Sequence, residues 1–134
     1  INYGYTNYKL IQEFKKDSIY NFAWDSTNEI YINNGRGIFV HDNGGTNETK
    51  IITKYKTASV FGNVRQYIKT YNSENILIEN TKQNWTNKDW VNNGKENYII
   101  NSDGNTEIYE NQFFSNGVWV VFEKLQIFIM QLVV

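Results

Sequence analysis

The residues best able to do chemistry in this 134-residue chain are aromatic. Trp85, Trp90 and Trp119, with Tyr98 and Tyr109, flank polar turns rich in Asn, Asp and Gln. A flat apolar ring beside side-chain amides is what a sugar requires: a platform for the pyranose face, and donors and acceptors for its hydroxyls. The candidate ligand-binding set is therefore Trp85, Trp90, Trp119, Tyr98, Asn92 and Asp103. The competing reading makes these rings a packed core, since aromatics dominate core burial.

Other chemistries are poorly served. His41 is the only histidine, and its neighbour Asp42 would point to the opposite face of a strand, so the two make no dyad. There is no cysteine, no HExxH, no P-loop and no GxSxG. Asp42, Asn43, Asp103 and Asn105 offer oxygen ligands for calcium, but not at EF-hand spacing, and Asx turns account for them. Asp25 and Glu29 could act as a glycosidase pair, yet in a turn such residues are ordinarily just solvated. Asn47-Glu48-Thr49 and Asn84-Trp85-Thr86 fit the glycosylation acceptor pattern, which matters only in a eukaryotic secretory setting. No catalytic residue, metal or cofactor is assigned, and the expected function is non-enzymatic binding.

Composition narrows the partners. Thirteen basic and fourteen acidic residues leave a net charge of −1, which disfavours nucleic acid. Mean hydropathy is −0.58, while aromatics reach 16%. Polar yet aromatic-rich composition fits strands with one buried and one wet face. The length suffices for one domain with a real core. No signal peptide is visible, and the absence of an initiating Met suggests a processed or excised product.

The elements that must position the rings are strands. Residues 90–104 read as a tight turn (Asn92-Asn93-Gly94), a strand (Tyr98-Ile99-Ile100) and a second turn (Asn101-Ser102-Asp103-Gly104). Residues 31–45 echo them, with Asn33-Asn34-Gly35 on Asn92-Asn93-Gly94 and Gly45 on Gly104. The offset is 59 residues, roughly twice 29, within the range of repeat architectures. Phe61, Trp90 and Trp119 keep the half-period, which predicts four units near 17–45, 46–74, 75–103 and 104–132. The fold predicted is all-β, an antiparallel hairpin meander arranged as a stack, sandwich or barrel.

In chain order, 1–8 reads as an opening loop, 8–14 as a strand and 15–18 as a turn. Residues 19–32 form a hairpin with Tyr20, Phe22 and Trp24 on one face. Asn34-Gly35 is the strongest short hairpin signal. Phe61-Gly62-Asn63 reads as a bend, 64–71 and 106–114 as strands, and 118–122 as a buried strand. The apolar tail 125–134 is too short for a membrane span and reads as a last core strand, or as an edge that pairs with another copy of the chain.

Two family resemblances add to this. Asn101-Ser102-Asp103-Gly104-Asn105-Thr106-Glu107, then Gln112-Phe113-Phe114, Asn116-Gly117 and Val118-Trp119-Val120, resemble the degenerate tandem repeats of secreted Bacteroidetes proteins, related in style to YD/RHS repeats. The preceding unit departs, with Asn75 in place of the Gly and Ile76 in place of the Asn. This resemblance, over about half the chain, implies a hairpin array on a secreted or cell-surface protein and carries no catalytic residues. Residues 19–45 also look like a β-propeller blade of bacterial sensors. At about 40 residues per blade the chain would supply three and could not close alone. The expected partner is a glycan or another surface protein, with adhesion or self-assembly as the role.

Overall fold

The computed structural model describes residues 18–57 and 60–128, and all of their regular structure is β. Eight strands follow one another: β1 (Ser18–Asp25), β2 (Ile30–His41), β3 (Glu48–Thr57), β4 (Val60–Tyr71), β5 (Leu77–Thr86), β6 (Asp89–Ile100), β7 (Thr106–Ser115) and β8 (Val118–Gln126). They form one antiparallel sheet in sequence order. The sheet is open, because β1 and β8 do not pair, so it is neither a barrel nor a sandwich. The expected strand 8–14 and the turn residues 15–17 lie outside the described residues, as does 129–134 of the tail.

The two ends of the sheet use different turn chemistry. At one end, Asn87-Lys88 and Asn116-Gly117 close tight hairpins with positive φ at both positions (52° and 66°, 50° and 81°), as a two-residue turn matched to strand twist requires. The turn 26–29 at this end is held by Asp25, whose carboxylate accepts from the Thr27 N–H (2.9 Å) and the Asn28 amide (2.7 Å).

At the other end one longer loop recurs three times. Asp42, Asn72 and Asn101 each begin it. Each side chain accepts two backbone N–H groups: Thr46 and Asn47 on the two Asp42 carboxylate oxygens, Glu74 and Ile76 on Asn72 Oδ1, and Asp103 and Asn105 on Asn101 Oδ1. The residue three further on, Gly45, Asn75 or Gly104, takes positive φ and donates its N–H to the carbonyl of the first. Asx side chains thus satisfy the backbone groups that the turn leaves over.

Every strand pair contains one bulge. In the even strands the extra residues are Asn34, Val64, Asn93 and Phe122. This corrects the expectation for Asn33-Asn34-Gly35 and Asn92-Asn93-Gly94. Neither is a hairpin turn; both lie inside strands, and Gly35 and Gly94 are not among the glycines with positive φ. An Asn-Gly pair inside a strand is a bulge signal when the pairing runs on past it. The expected bend at Phe61-Gly62-Asn63 is likewise strand, beside the bulge at Val64.

The expected core is also corrected. Among the described residues no hydrophobic side chain is buried, and the most enclosed polar one is Gln66 at 4% exposure. Strand 118–122 is exposed rather than buried apart from half-buried Trp119, with Phe122 at 62%. A single layer has no second layer to press against, so each side chain is covered only by neighbours on its own face. Cross-strand pairs are then the unit of stabilisation.

Candidate functional site

Alternation along the strands, together with the register, sorts the side chains onto two faces. All four tryptophans share one, here the Trp face. Three aromatic pairs lie on it next to the tight turns. Trp24–Tyr31, Trp85–Trp90 and Phe114–Trp119 have ring centroids 5.1, 4.9 and 5.0 Å apart, each edge to face. Phe61 takes the matching place in β4, under the Lys56 ammonium at 6.0 Å. Such pairs contribute about 0.5–1.5 kcal/mol beyond the area they bury, which explains how short turns hold their strands together.

Further along the same face runs a ladder of amides. Gln66 Nε2 donates to Gln83 Oε1 (2.5 Å), and Gln83 Nε2 donates to Asn92 Oδ1 (2.8 Å). Lys95 bridges two features, pairing with Glu79 (3.5 Å) and lying 4.6 Å from the centroid of the Trp119 ring.

The opposite surface, the Tyr face, is arranged in rows across β4 to β8. One row reads Tyr67, Lys82, Gly94, Phe113 and Val120 by register. With no side chain at Gly94, the row opens into a hollow of about 360 Å³. Tyr67 and Lys82 flank it on one side, Phe113 and Phe122 on the other, these two rings lying 6.1 Å apart. The next row is polar. Asn80 Nδ2 donates to Glu96 Oε2 (2.9 Å), and Asn111 Nδ2 donates to Glu123 Oε2 (2.7 Å). Beyond it the Tyr98 and Tyr109 hydroxyls lie 3.3 and 3.1 Å from the Glu96 carboxylate. Burial and the adjacent Glu96 push the Tyr98 phenol up to about 12, and Tyr109 is raised for the same reasons. Both therefore remain protonated and donate.

The structure divides the candidate set. It brings Trp85, Trp90 and Asn92 together on the Trp face, with Trp119 on the same face one hairpin away. Tyr98 is on the other face, paired with Tyr109 at 5.4 Å. Asp103 is exposed in the loop at the far end, where its N–H serves the Asn101 turn. Sequence reading missed the hollow and its residues Tyr67, Lys82, Asn80 and Phe122. The available signal was Gly94 inside a strand, a mark of close approach or open space. Among the described residues no group of three or more His, Cys, Asp or Glu could hold a metal ion, and no helix is long and apolar enough to cross a membrane.

No protein-family model and no curated protein matches the chain. Its fold is similar to that of a solved protein of unknown function from Bacteroides fragilis. That match has a TM-score of 0.61 at 10% identity and covers 84% of this chain and 93% of the other. Two further solved structures, DUF3836 family proteins from Bacteroides vulgatus and Parabacteroides distasonis, match with TM-scores of 0.48 and 0.49. Each is 12% identical; they cover 84% and 81% of this chain, and 99% and 91% of their own.

Proposed function

We propose that the chain is a non-enzymatic binding module of a secreted or cell-surface protein, an adhesive module that takes carbohydrate on its Trp face. The observation that carries this reading is the row of aromatic pairs Trp24–Tyr31, Trp85–Trp90 and Phe114–Trp119 along one edge of one face. The amide of Asn92 and the ladder behind it supply the hydroxyl partners. Consecutive hairpins set their rings two strand spacings apart, about 9.6 Å, comparable with the length of a disaccharide. On this reading the four units near 17–45, 46–74, 75–103 and 104–132 are repeats that present one platform each, and an extended glycan crosses the strands. The test is a glycan array followed by calorimetry on the best hit. Trp90→Ala should weaken binding at least tenfold with the circular dichroism spectrum retained. Unchanged affinity in that variant, or an array without hits, would defeat the proposal.

A second reading is assembly through the last strand. It is favoured by the apolar side chains that β8 and its continuation expose, among them Val121, Phe122, Leu125 and Phe128. Light scattering over a concentration series separates the two. A size that grows with concentration favours assembly through 125–134, and a constant monomer favours the binding module.

A further inference from the structure

We propose that the hollow over Gly94 on the Tyr face is a second, separate binding site, and that it takes an acidic sugar. Three features of the hollow carry this, and none of them depends on the Trp face.

The first is an unneutralised cation. Lys82 lines the hollow, half-buried, between Tyr67 and the bare backbone of Gly94. The described ion pairs use Lys69, Lys95 and Lys124, and Lys82 has no partner among the described residues. An ammonium with no anion beside it is left to form a charge-assisted hydrogen bond with a bound carboxylate.

The second is an unused acceptor. The Oδ1 atom of Asn80 is buried and has no hydrogen-bond partner, although the Nδ2 of the same amide is engaged by Glu96. The residue lines the same hollow one row from Lys82, and rotation of its amide would bring that acceptor to a ligand hydroxyl. The Glu96 carboxylate, in the same lining, is turned to Asn80, Tyr98 and Tyr109 and makes no ion pair with Lys82. A ligand that presents a carboxylate and a hydroxyl together would meet both Lys82 and Asn80.

The third is the shape of the wall. Phe113 and Phe122 face Lys82 across Gly94 and are exposed, 42% and 62%, so their rings are available to the apolar face of a six-membered ring. A hollow of about 360 Å³ suits one or two sugar units. Carboxylate, hydroxyls and an apolar ring face in one small molecule describe a uronic acid.

The experiment is a titration of the intact chain with glucuronate, with glucose and acetate as controls, read by NMR shifts or calorimetry. Glucuronate should bind at least tenfold tighter than either control. Lys82→Met should weaken it at least tenfold, whereas Lys54→Met, which removes a cation from the opposite face, should leave it unchanged. Gly94→Thr is the second variant. A Cβ there meets only the Gln112 carbonyl oxygen, at an ordinary 3.6 Å, so the chain folds while the floor of the hollow is filled, and glucuronate binding should be lost. Absence of glucuronate binding, equal affinity for glucose, or indifference to both Lys82→Met and Gly94→Thr would overturn the proposal. These outcomes are independent of the neutral-glycan test with Trp90→Ala.

Discussion

The Trp face and the Tyr face are built from alternate residues of the same strands, yet they hold together by different means. On the Trp face, rings meet in pairs beside each tight turn and amides hand hydrogen bonds from strand to strand. On the Tyr face a carboxylate gathers an amide and two phenols around itself, and beside it a missing side chain leaves a hollow. The difference teaches how a single layer divides its tasks. With no facing sheet among the described residues, one surface is stitched by repeated local contacts, which leaves the other free to be uneven.

The comparison can be broken most directly on the Trp face. Trp90→Ala should cost about 2–3 kcal/mol, less than a fully buried Trp because the residue is only half-covered. Urea denaturation measures it, and a loss below about 0.5 kcal/mol would mean the ring pairs do not hold the hairpins. Next come the two glycines beside bulges. A Cβ at Gly35 lies 3.1 Å from Asn21 Nδ2 and 3.3 Å from Asn21 Cβ, while at Gly94 nothing is closer than 3.6 Å. Gly35→Thr should therefore cost about 1–2 kcal/mol, whereas Gly94→Thr should stay within about 0.5 kcal/mol of the wild type. Equal losses would show that the space at Gly94 is not real.

Tyr98→Phe removes one of three donors to Glu96 and should cost about 1 kcal/mol. It also sharpens the comparison through pH. Because the folded phenol is raised from 10.0 to about 12, the folded state holds its proton where the unfolded state has lost it. That contribution is whole below pH 10 and disappears as pH rises through about 12. The wild type should lose stability across this window and Tyr98→Phe should lose less. The smallest effect belongs to the loop end. Burial tends to raise the Asp42 carboxyl, but the N–H groups of Thr46 and Asn47 outweigh it and hold the carboxyl below its usual 3.8. The advantage of wild type over Asp42→Asn is thus present above that value, and should fade as pH falls through the lowered one.

The strands and the loop ends were legible in the sequence because their signals are local. Alternation of Tyr20, Phe22 and Trp24 marks a strand, and Asx residues followed by Gly at 42–45 and 101–104 mark turns. Asn34-Gly35 and Asn93-Gly94 misled because the dipeptide reports tolerance of an irregular backbone, while pairing further along the strand decides between turn and bulge. The turn that does take two positive φ values in the same hairpin is Asn87-Lys88, which has no glycine. That no hydrophobic side chain is buried among the described residues was hidden for a different reason. Apolar alternation is the same whether the apolar side meets a second layer or only its own neighbours. Of the candidate site, Trp85, Trp90 and Asn92 were found because they are close in sequence. The hollow was not, since Tyr67, Lys82, Gly94 and Phe113 become one row only through three successive registers.

Strands that hydrogen-bond only to their sequence neighbours also set how the molecule gains and loses its structure. Each pairing closes a short segment of chain, so the contact order is low for an all-β protein and folding should be fast for its class. Since β1 and β8 do not pair among the described residues, the sheet should behave as a line of coupled hairpins rather than as one cooperative block. Opening should begin at β1 and β8 and move inward. Amide hydrogen exchange would then show protection climbing from the outer strands toward β4, β5 and β6, the strands that carry the Gln66–Gln83–Asn92 ladder.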